Sequence, residues 1–555
     1  MNGARIIVES LKKEGVDTVF CYTGGAVISI FDELYKHGEG LNLIQPRHEQ
    51  GGTHAADGYA RSTGKTGVVI VTSGPGATNT ITGIATAYMD SSPLVVITGQ
   101  VASTLIGTDA FQESDVTGIT LPITKANFLV KNIKDLAVTI KKAFYIAGSG
   151  RPGPVVIDIP GDIQRQDFKF NYPDTVDLQS YRPKDSGHPK QIKSAIKLLA
   201  ASKKPLIISG GGVNLSNATG EMNDFLNKTG IPVVHTLMGT GVNPEDENQF
   251  LGFIGMHGTL YGNYAIQNAD LIMAVGVRFS DRIIGNPNTF AKNAKLIHID
   301  IDPAEIDKNI LTDLPIVGSA KSILREFNNL DLAIDISEWK NELSNYKKNY
   351  PLGYEKSELI KPQYIIELAQ KYFPENSIIV TDVGQNQIWV AQNYRIKNPR
   401  SFLTSGGLGT MGYGLPAAIG AAVGNPDKQV LMFAGDGGFQ MNMQELGIIR
   451  KYGLKVKMIV LDNNYLGMVR QWQELLFEKR YSGTDMEFNP DFVKLADVFR
   501  IKSIFLKDPK EADAVIKELA MSNESMLVHI AIDPDENVLP MVPAGKALDE
   551  VLTKL

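Results

Sequence analysis

The chain has 555 residues and a mass of 60.6 kDa, which at roughly 100–200 residues per domain predicts about three to five domains and excludes a peptide-sized binding module. Its 43% hydrophobic and 21% charged residues exclude a disordered or fibrous chain. The 55 Lys and Arg against 61 Asp and Glu give a net charge of −6 without a long run of one sign. We expect no nucleic-acid partner, because such binding needs a basic face.

Two features predict a cytoplasmic protein that has no membrane partner. Cys21 is the sole cysteine, so the fold cannot depend on an intrachain disulfide or on an oxidising compartment. The first residues mix charged and apolar positions and lack the apolar core of a secretion signal. Apolar runs stay shorter than the ~18 residues that a membrane span needs.

Short apolar runs that end in Gly-rich turns and lead into helical patterns predict an α/β protein with parallel sheets. In the first block, residues 1–165, strands are predicted within VVIVTSGPGATN (68–79), PLVVITG (93–99) and GPVVIDIPGDIQ (153–164). The polar, Pro-bearing and aperiodic stretch 166–190 is interpreted as a linker.

Two further blocks follow. The second, residues 191–327, has predicted strands in PLIISGG, IPVVHT, DLIMAVG and KLIHIDID. A partly helical connector, 328–360, leads to the third block, 361–555, with strands in SIIVTDVG, KQVLMFAGDG, KVKMIVLDN and MLVHIAID. The first and third blocks share the order of strand, Gly-rich turn (SGPGAT and AGDGGF) and helix, which predicts two related halves that flank a different middle.

Several familiar motifs match only in part. STGKT lacks the first glycine of a P-loop, because Tyr59 stands in its place. HEQGG has Gly52 where a zinc protease needs its second His. Gly407, Gly409 and Gly412 have dinucleotide-fingerprint spacing, but the preceding RSFLTS is a weak strand. The sequence has no GxSxG elbow, so acyl-transfer hydrolysis has no support.

The strongest motif lies in VLMFAGDGGF, where an apolar strand meets Gly435, Asp436, Gly437 and Gly438 before a predicted helix. Free N–H groups at a helix start bind phosphate, and a carboxylate beside them can bridge a hard cation to it. Twenty-seven residues later, at the end of the next predicted strand, come Asp462, Asn463 and Asn464, and the ends of neighbouring parallel strands meet at one sheet edge. Ordinary Asp-Gly and Asn-Asn turns are the alternative interpretation.

A GDG motif with an Asn-bearing turn at this distance resembles the diphosphate and Mg²⁺ motif of thiamin-diphosphate enzymes. Further segments resemble the catalytic subunits of the acetohydroxyacid (acetolactate) synthase family and cover nearly the whole chain: RHEQGGTHAADGYAR, VTSGPGATNTITGIATAYMDSSPLVVITGQ, LIGTDAFQESDVTGIT, GMHGTLYGNYA, VRFSDR, GGLGTMGYGLPAAIGAA and LGMVRQWQ. The resemblance implies the thiamin-diphosphate enzyme fold, an α/β fold with a mostly parallel sheet flanked by helices in each of three domains. These are a pyrimidine-binding domain (1–165), a central FAD-binding domain (191–327) and a domain for diphosphate and Mg²⁺ (361–555).

The resemblance also implies which residues bind thiamin diphosphate and Mg²⁺. Glu49 of RHEQ would exchange a proton with N1′ of the aminopyrimidine, although a surface Glu at a helix start is the alternative. Met411 would bend the cofactor, and the Gly409 carbonyl would accept from its 4′-amino group. The other implied thiamin diphosphate contacts are Gly384, Gln385, Gly437, Gly438 and Met468, and the implied Mg²⁺ ligands are Asp436, Asn463 and the carbonyl of Tyr465.

For the substrate, the resemblance implies that Phe111 and Gln112 lie over the reacting carbon. Arg282 would bind the carboxylate of the incoming 2-keto acid through a two-pronged contact, and Trp472 the extra methyl group of 2-ketobutyrate. A surface salt bridge and a half-buried core ring are the alternatives. Met256 is a further implied substrate contact. FAD would bind in the middle block, at Arg151, Gly210, Gly211, Gly212, His257, Gly258, Arg278 and Asp300.

The implied enzyme is a thiamin-diphosphate-dependent transferase. It would decarboxylate pyruvate and condense the hydroxyethyl carbanion with pyruvate or 2-ketobutyrate, giving 2-acetolactate or 2-aceto-2-hydroxybutyrate for branched-chain amino-acid biosynthesis. Active sites between subunits imply a homodimer or tetramer, and a small regulatory subunit is common in the family. The alternatives are a relative that only decarboxylates, an FAD-free catabolic acetolactate synthase and a non-catalytic nucleotide-binding homologue. Acceptor preference and feedback regulation do not follow from the sequence.

The chain departs from the family pattern at several positions. Asp462 replaces the first Asn of the metal-side pair, so Asn463 is assigned by its spacing and by the LGMV that follows. Ser319 replaces an Asp on the FAD side, and Gly161 replaces a Lys. The other departures are Thr23, Ala102, Ser103, Thr104 and Asn386. The changes at 102–104 and 161 bear on the outer substrate channel, and none removes a residue of the core chemistry.

Overall fold

The computed structural model describes residues 1–554 and contains three six-stranded sheets. The first sheet comprises β1 (Thr18–Cys21), β2 (Asn42–Ile44), β3 (Gly67–Val71), β4 (Leu94–Gln100), β5 (Ala126–Leu129) and β6 (Pro154–Pro160). The second comprises β7 (Pro205–Ser209), β8 (Val233–His235), β9 (Phe250–Phe253), β10 (Leu271–Val275), β11 (Lys295–Asp300) and β12 (Leu314–Val317). The third comprises β13 (Ile378–Thr381), β14 (Phe402–Leu403), β15 (Val430–Gly435), β16 (Val456–Asp462), β17 (Lys502–Leu506) and β18 (Met526–Ala531).

Helices flank each sheet. Around the first lie α1 (Gly3–Lys13), α2 (Ile28–His37), α3 (Glu49–Thr63), α4 (Pro75–Thr78), α5 (Ile81–Met89), α6 (Val116–Thr120), α7 (Leu136–Gly148) and α8 (Gly161–Arg165). The middle unit has α9 (Pro189–Ala201), α10 (Gly211–Leu215), α11 (Thr219–Thr229), α12 (Leu260–Asn268), α13 (Asp281–Ile284) and α14 (Ala320–Asn328), followed by α15 (Ser337–Asn349) in the connector. The third unit has α16 (Pro362–Tyr372), α17 (Gln385–Asn393), α18 (Gly414–Gly424), α19 (Asp436–Gln440), α20 (Leu446–Tyr452), α21 (Gly467–Leu476), α22 (Phe492–Val498) and α23 (Ala512–Met521).

The strand order confirms the predicted pair of related halves. The first sheet has the order β2-β1-β3-β4-β6-β5 and the third has β14-β13-β15-β16-β18-β17, so the two orders are identical once strands are counted within each sheet. The middle sheet has the different order β12-β11-β10-β7-β8-β9. All the strand pairs of these sheets are parallel. The predicted three-unit parallel α/β fold is therefore confirmed, whereas the domain boundaries stay predictions.

Apolar runs in the sequence correspond to the interior strands. All residues of β3, β4, β7, β10 and β16 are buried, as expected for parallel strands covered by helices on both faces. The edge strands were harder to predict, because their residues are partly exposed or too few. Strand β17, for example, has two exposed, two half-buried and one buried residue, and β14 has only two residues.

Helices α3 and α18 join the first and third units. Most residues of α3 are buried, and α18 consists largely of Gly and Ala. At the crossing, a Cβ atom on Gly58 would lie 2.2 Å from the carbonyl oxygen of Ala417, so only glycine permits this approach. One apolar core, which includes Val69 and Met432, surrounds the two helices and extends to both sheets.

The remaining chain connects and closes the units. Of the predicted linker 166–190, residues 166–188 run as irregular chain with one isolated bridge from Asp167 to Asn2, and the last two residues already belong to α9. After the third sheet the chain returns to the middle unit, where Val542 and Leu548 enter its core. Among residues 1–554, we find no α-helix with the length and apolar character needed to cross a bilayer.

Candidate active site

The carboxyl edge of the third sheet brings together the predicted Mg²⁺ residues and most of the predicted thiamin diphosphate residues, all except Glu49 and Gly409. Strands β13, β15 and β16 are neighbours, so the turns that follow them converge. A cavity of about 70 Å³ lies there. Its walls include the predicted residues Gly384, Gln385, Met411, Asp436, Gly437, Gly438, Asn463, Tyr465 and Met468.

Two glycines at this edge leave the backbone open to a ligand. A Cβ atom on Gly438 would lie 2.4 Å from Oδ1 of Asp382, and one on Gly437 would lie 2.7 Å from Cδ2 of Leu466. A side chain at 438 would displace the Asp382 carboxylate, and one at 437 would crowd the end of the Leu466 side chain; both positions lie in the first turn of α19. N–H groups at such a helix start favour an anion, so this cradle fits a diphosphate group.

Two buried carboxylates give the edge a local negative charge. Burial and the neighbouring Asp462 carboxylate raise the pKa of Asp436. Nδ2 of Asn489 donates to both of them, at 2.7 Å to Oδ2 of Asp436 and 3.1 Å to Oδ1 of Asp462. A divalent cation would relieve this crowding of negative charge, and carboxylate and carbonyl oxygens are ligands that Mg²⁺ prefers. The residues present thus fit a magnesium ion.

The structure explains how the chain accommodates Asp462 in place of the usual Asn. Nε2 of His529, on β18, lies 2.7 Å from Oδ2 of Asp462. Burial, the largest single influence, would raise the pKa of Asp462, but the contact with His529 and the hydrogen bond from the N–H of Asn464 together lower it. Sequence reasoning missed His529 and Asn489. The signal for His529 was a single polar residue within the apolar run MLVHIAID.

Asp382 is another residue that sequence reasoning missed. Its buried carboxylate accepts hydrogen bonds from the N–H groups of Gly412 at 3.1 Å, Gly414 at 2.8 Å and Val383 at 2.8 Å. Burial raises the pKa of Asp382 to about 6. Because Gly412 follows Met411 directly, Asp382 fixes the chain that carries Met411 into the cavity.

Glu49 lies at the carboxyl edge of the first sheet, as the first residue of α3. Its Oε2 accepts a hydrogen bond of 3.0 Å from Nδ2 of Asn79. Gln112 also lies at this edge, since a Cβ atom on Gly74 would be 2.9 Å from the Cα of Gln112. The neighbouring Phe111 side chain is 88% exposed.

The residues of the two edges do not meet within one chain. Glu49, Phe111 and Gln112 line neither the cavity at the third sheet nor a second, larger cavity, as far as residues 1–554 show. Each chain thus carries two separate groups of predicted residues, one on each related half.

The second cavity, of about 810 Å³, lies where the three units meet. It collects most of the predicted FAD residues, together with the predicted acceptor residues and three of the predicted thiamin diphosphate contacts. The predicted FAD residues in its wall are Arg151, Gly211, Gly212, His257, Arg278 and Asp300. The predicted acceptor residues are Met256, Arg282 and Trp472, and the predicted thiamin diphosphate contacts are Gly384, Gly409 and Met468. Ser319, a departure from the family pattern, also lines it.

The polar groups of this cavity fit a large polar ligand. Among residues 1–554, the buried Nδ1 of His257 has no hydrogen-bond partner. Burial, with a smaller contribution from the charge of Arg282, lowers the pKa of this His to about 4. Burial also raises the pKa of Asp300 to about 6. A buried polar atom without a partner is unfavourable unless a ligand or water satisfies it. The hydrogen-bond donors and acceptors that line this cavity are therefore compatible with FAD.

Two predicted FAD residues lie behind the wall of the cavity. A Cβ atom on Gly210 would lie 2.0 Å from the carbonyl oxygen of Gly276, and one on Gly258 would lie 2.6 Å from the Cα of Ile254. Both glycines therefore permit close backbone packing and do not line the cavity. Their predicted contact with FAD stays a prediction.

The predicted acceptor residues lie together in the same cavity. Nη1 of Arg282 is 3.2 Å from the sulfur of Met256, and Trp472, on α21, lines the same cavity. The Arg282 side chain is 64% exposed and lies 3.6 Å from Asp281. Its guanidinium thus remains available for a carboxylate, next to an apolar surface that suits a small alkyl group.

Comparison with known proteins agrees with this arrangement. Family models for the thiamine pyrophosphate enzymes match all three units: the N-terminal TPP binding domain at residues 1–119, the central domain at 192–327 and the C-terminal TPP binding domain at 382–530. These matches define the class of protein.

Relatives that are similar over the full length of the chain define the family within this class. The chain is 46% identical to the acetolactate synthase large subunit of Haemophilus influenzae, over 100% of this chain and 98% of that protein. It is 48% identical to the probable acetolactate synthase large subunit of Methanocaldococcus jannaschii (100% and 95%) and 44% identical to acetolactate synthase isozyme 3 large subunit of Escherichia coli (99% and 98%). The chain therefore belongs to the acetolactate synthase large subunit family of thiamine pyrophosphate enzymes.

Proposed function

We propose that this protein is an acetolactate synthase that decarboxylates pyruvate and transfers the two-carbon unit to a second 2-keto acid. The single observation that carries the proposal is the cavity at the third sheet, where Asp436, Gly437, Asn463 and Tyr465 meet Met411. That set combines an anion cradle, oxygen ligands for a cation and an apolar wedge. Full-length similarity to acetolactate synthase large subunits supports the reaction.

Each group has a distinct task in the proposed mechanism. Asp436, the side chain of Asn463 and the carbonyl of Tyr465 would hold Mg²⁺, and the N–H groups beside Gly437 and Gly438 would bind the diphosphate. Thiamin diphosphate, when bound, supplies a nucleophilic carbon and an electron sink for decarboxylation. Glu49 would donate and accept a proton at N1′ of the aminopyrimidine, which is general acid–base catalysis.

The acceptor would bind through the residues of the larger cavity. Arg282 would hold the carboxylate of the second 2-keto acid, and Trp472 and Met256 would contact its alkyl end. Phe111 and Gln112 would cover the reacting carbon and exclude water from it. The products would be 2-acetolactate and 2-aceto-2-hydroxybutyrate.

A product assay tests the reaction. Purified protein is incubated with pyruvate, with and without thiamin diphosphate and Mg²⁺, and the acetolactate is measured; 2-ketobutyrate is then added in competition. We expect acetolactate only when both cofactors are present. Acetaldehyde as the sole product would favour a decarboxylase, and no turnover of pyruvate under any condition would contradict the proposal.

We also infer that FAD occupies the large cavity. The volume of about 810 Å³, the unpartnered Nδ1 of His257 and the glycine-lined wall at Gly211 and Gly212 support this assignment. The measurement is the visible absorbance of protein purified from flavin-sufficient cells. A flavin spectrum at about one FAD per chain is expected, and a colourless but active enzyme would favour the FAD-free catabolic type.

The separation of Glu49 from the cavity at the third sheet supports an active site shared by two chains. Apolar residues are exposed beside both groups of predicted residues, namely Leu105, Ile106 and Phe111 on one half and Met441, Leu476, Phe477 and Phe488 on the other. Exposed apolar patches of this kind are typical of interfaces. We therefore propose a homodimer or higher assembly in which Glu49 reaches the cavity of its partner.

Subunit complementation tests this assembly. Glu49→Gln and Asp436→Asn chains are each expected to be nearly inactive alone. When they are mixed under conditions of subunit exchange, half of the dimers are mixed and each has one intact site, so about a quarter of the wild-type activity should return. Absence of recovery in demonstrably mixed dimers would contradict a shared site.

The names of the relatives support one further partner. Because they are called large subunits, we propose that this chain also binds a small regulatory subunit. Co-purification with a small subunit encoded in the same genome is the test. A change in activity when the two are combined would support the assignment, and a failure to bind would contradict it.

A further inference from the structure

The two related halves contact each other through equivalent connections. In each half, the segment between the third and fourth strands of the sheet faces the other half. In the first half this segment is α5 with the turn that follows it, and in the third unit it contains the 3-10 helix Met443–Glu445 and α20. Each of the two segments carries one buried carboxylate, Asp90 or Glu445, whose role the proposed mechanism does not explain.

Glu445 holds the start of α3. Its Oε2 accepts a hydrogen bond of 3.0 Å from the N–H of Arg47, and its Oε1 accepts one of 3.0 Å from the N–H of His48. These residues directly precede Glu49, the first residue of α3. The Glu445 side chain is almost fully buried, so the two N–H groups are bound away from water. A carboxylate of the third unit thus fixes the segment that carries the predicted proton-exchanging acid of the first.

Asp90, in the first half, likewise binds two backbone N–H groups of the third unit. Its Oδ2 accepts a hydrogen bond of 3.0 Å from the N–H of Gly406, and its Oδ1 accepts one of 2.7 Å from the N–H of Gly407. These glycines begin the segment 406–411, which contains Gly409 and Met411. One turn earlier on α5, the hydroxyl of Thr86 lies 2.8 Å from that of Thr410. Helix α5 therefore holds this segment at both ends.

Asp90 is itself fixed from several sides. Nη2 of Arg61 lies 3.0 Å from its carboxylate, and the Asp90 side chain is only 1% exposed. On either side of it, the carbonyl oxygen of Met89 accepts from Nη1 of Arg278 at 2.5 Å, and Oγ of Ser91 accepts from Nε of Arg151 at 2.8 Å. The turn can hardly shift without breaking these contacts, so it is a rigid support for segment 406–411.

We propose that Asp90 and Glu445 are reciprocal positioning residues: Asp90 fixes the segment that carries Gly409 and Met411, and Glu445 fixes the segment that carries Glu49. Charge-assisted hydrogen bonds to two adjacent N–H groups are stronger and more directional than neutral ones. Precise placement matters because catalytic groups displaced by about 1 Å can lose about a hundredfold in rate. The significance for catalysis rests on the proposed function, whereas the positioning of the backbone does not.

Asp57 provides a matched control for a purely structural role. It is as buried as Asp90 and binds the same guanidinium, with Oδ2 2.7 Å from Nη2 of Arg61. It lies on α3, and its carboxylate makes no hydrogen bond to segment 406–411 in the described residues. If Asp90 served only to pair with Arg61, Asp57→Asn and Asp90→Asn would have the same effects.

Amide hydrogen exchange of the cofactor-free protein, read in peptides that cover 45–49 and 404–411, is the first test. Asp90→Asn should raise exchange at Gly406 and Gly407 at least about tenfold, and Glu445→Gln should do so at Arg47 and His48, each without affecting the other segment. Asp57→Asn should change neither. Equal exchange in Asp90→Asn and Asp57→Asn would overturn the assignment of Asp90, and unchanged exchange at Arg47 and His48 in Glu445→Gln would overturn that of Glu445.

Binding of thiamin diphosphate, measured by calorimetry with Mg²⁺ present, is the second test. We expect Asp90→Asn to raise the Kd at least about fivefold, while Asp57→Asn stays within about twofold of the wild type. If Asp90→Asn does not fold, Asp90→Glu gives the same comparison, because it keeps the charge beside Arg61 but moves the oxygens by one methylene. A Kd that changes equally in the Asp90 and Asp57 variants would overturn the proposal, whereas failure of the wild type to bind thiamin diphosphate would instead contradict the proposed function.

Discussion

The carbonyl oxygen of Ala55 in α3 lies only 1.8 Å from the position that a Cβ atom on Gly420 in α18 would occupy. The two helices therefore touch backbone to backbone, and the first and third units depend on this contact for their relative position. Since backbone atoms cannot move aside as a side chain can, we expect Gly420→Ala to force the helices apart.

We predict that Gly420→Ala lowers the free energy of unfolding by about 1–3 kcal/mol or more, as overpacked cores do. Denaturant midpoints followed by circular dichroism measure the effect. Gly220→Ala is the matched control, because Gly220 lies near the start of α11 and a Cβ atom there would have no neighbour within 4 Å among the residues that the structure describes. The denaturant midpoint of the control should equal or slightly exceed that of the wild type. Similar midpoints for Gly420→Ala and Gly220→Ala would contradict the packing argument.

Replacement of Glu49 tests the proposed proton exchange. Glu49→Gln keeps the shape and the hydrogen bond to Asn79 but cannot exchange a proton, so kcat for acetolactate formation should fall by about 10²–10⁴-fold. Thiamin diphosphate binding, measured separately by calorimetry, should persist. The exposed Glu39 serves as control, since Glu39→Gln should leave kcat unchanged. A fully active Glu49→Gln enzyme would remove Glu49 from the mechanism.

Removal of metal tests the cation site. After chelation, the wild type should lose activity and regain it with Mg²⁺, whereas Asp436→Asn should need at least about tenfold more Mg²⁺ for half-maximal activity, because a charged ligand is lost. Mn²⁺ binding followed by electron paramagnetic resonance gives a readout independent of turnover. An unaltered Mn²⁺ affinity in Asp436→Asn would place the cation elsewhere.

Trp472 is predicted to determine the choice of acceptor. Trp472→Leu should lower the ratio of 2-aceto-2-hydroxybutyrate to 2-acetolactate by about tenfold, because contact with one extra methylene group contributes about 1–3 kcal/mol to discrimination. Competition between pyruvate and 2-ketobutyrate measures this ratio. Trp472→Phe keeps an aromatic surface, so its product ratio should fall less. An unchanged product ratio in Trp472→Leu would show that another residue makes the selection.

Buried His54 is expected to make stability depend on pH. In the described part of the chain, both of its ring nitrogens lack a hydrogen-bond partner. Burial, with a smaller contribution from Arg61, lowers its pKa from 6.5 to about 3. The unfolded chain therefore binds a proton that the native state does not, so stability falls as pH drops from 6.5 towards 3. At pH 5 this loss amounts to about 2 kcal/mol.

His54→Phe should remove that part of the acid sensitivity, since the Phe ring can keep the edge contact with Tyr413, whose centroid is 5.4 Å from that of His54. Denaturant midpoints at pH 7.5 and pH 5 measure the change. Between pH 7.5 and pH 5, the variant should lose less stability than the wild type. An identical loss in both proteins would refute the assignment to His54.

The sequence predicted the interior of each sheet better than its edges. Fully buried parallel strands are nearly continuous apolar runs, and the runs at 68–71, 205–209 and 430–434 correspond to β3, β7 and β15. Edge strands such as β12 and β17 are only half covered, so their sequences resemble those of loops. The Gly-rich turns of the candidate site follow interior strands, which is why their position at the edge of the sheet could be predicted.

Residues that hold the site in place were predicted poorly. Asn489 bonds to the predicted metal ligand Asp436, His529 contacts Asp462 beside the predicted ligand Asn463, and Asp382 binds the N–H of Gly412 next to Met411. Asp90 and Glu445 act across the two halves. None belongs to a local motif that predicts such a role. His48 and Glu445 are separated by 397 positions in the chain, and no periodicity or spacing connects residues so far apart.

The sequence by itself determined the α/β class, the pair of related halves, the Gly-rich turns and the family, because burial between helices and tight turns restrict residue types locally. Only the tertiary structure decided which turns share a cavity and that Glu49 and Asp436 lie apart within one chain. It also decided that His529 pairs with Asp462, and that Asp90 and Glu445 each bind backbone N–H groups of the opposite half. These relationships depend on strand order and on the close crossing of α3 and α18, and both arise from packing of the whole chain.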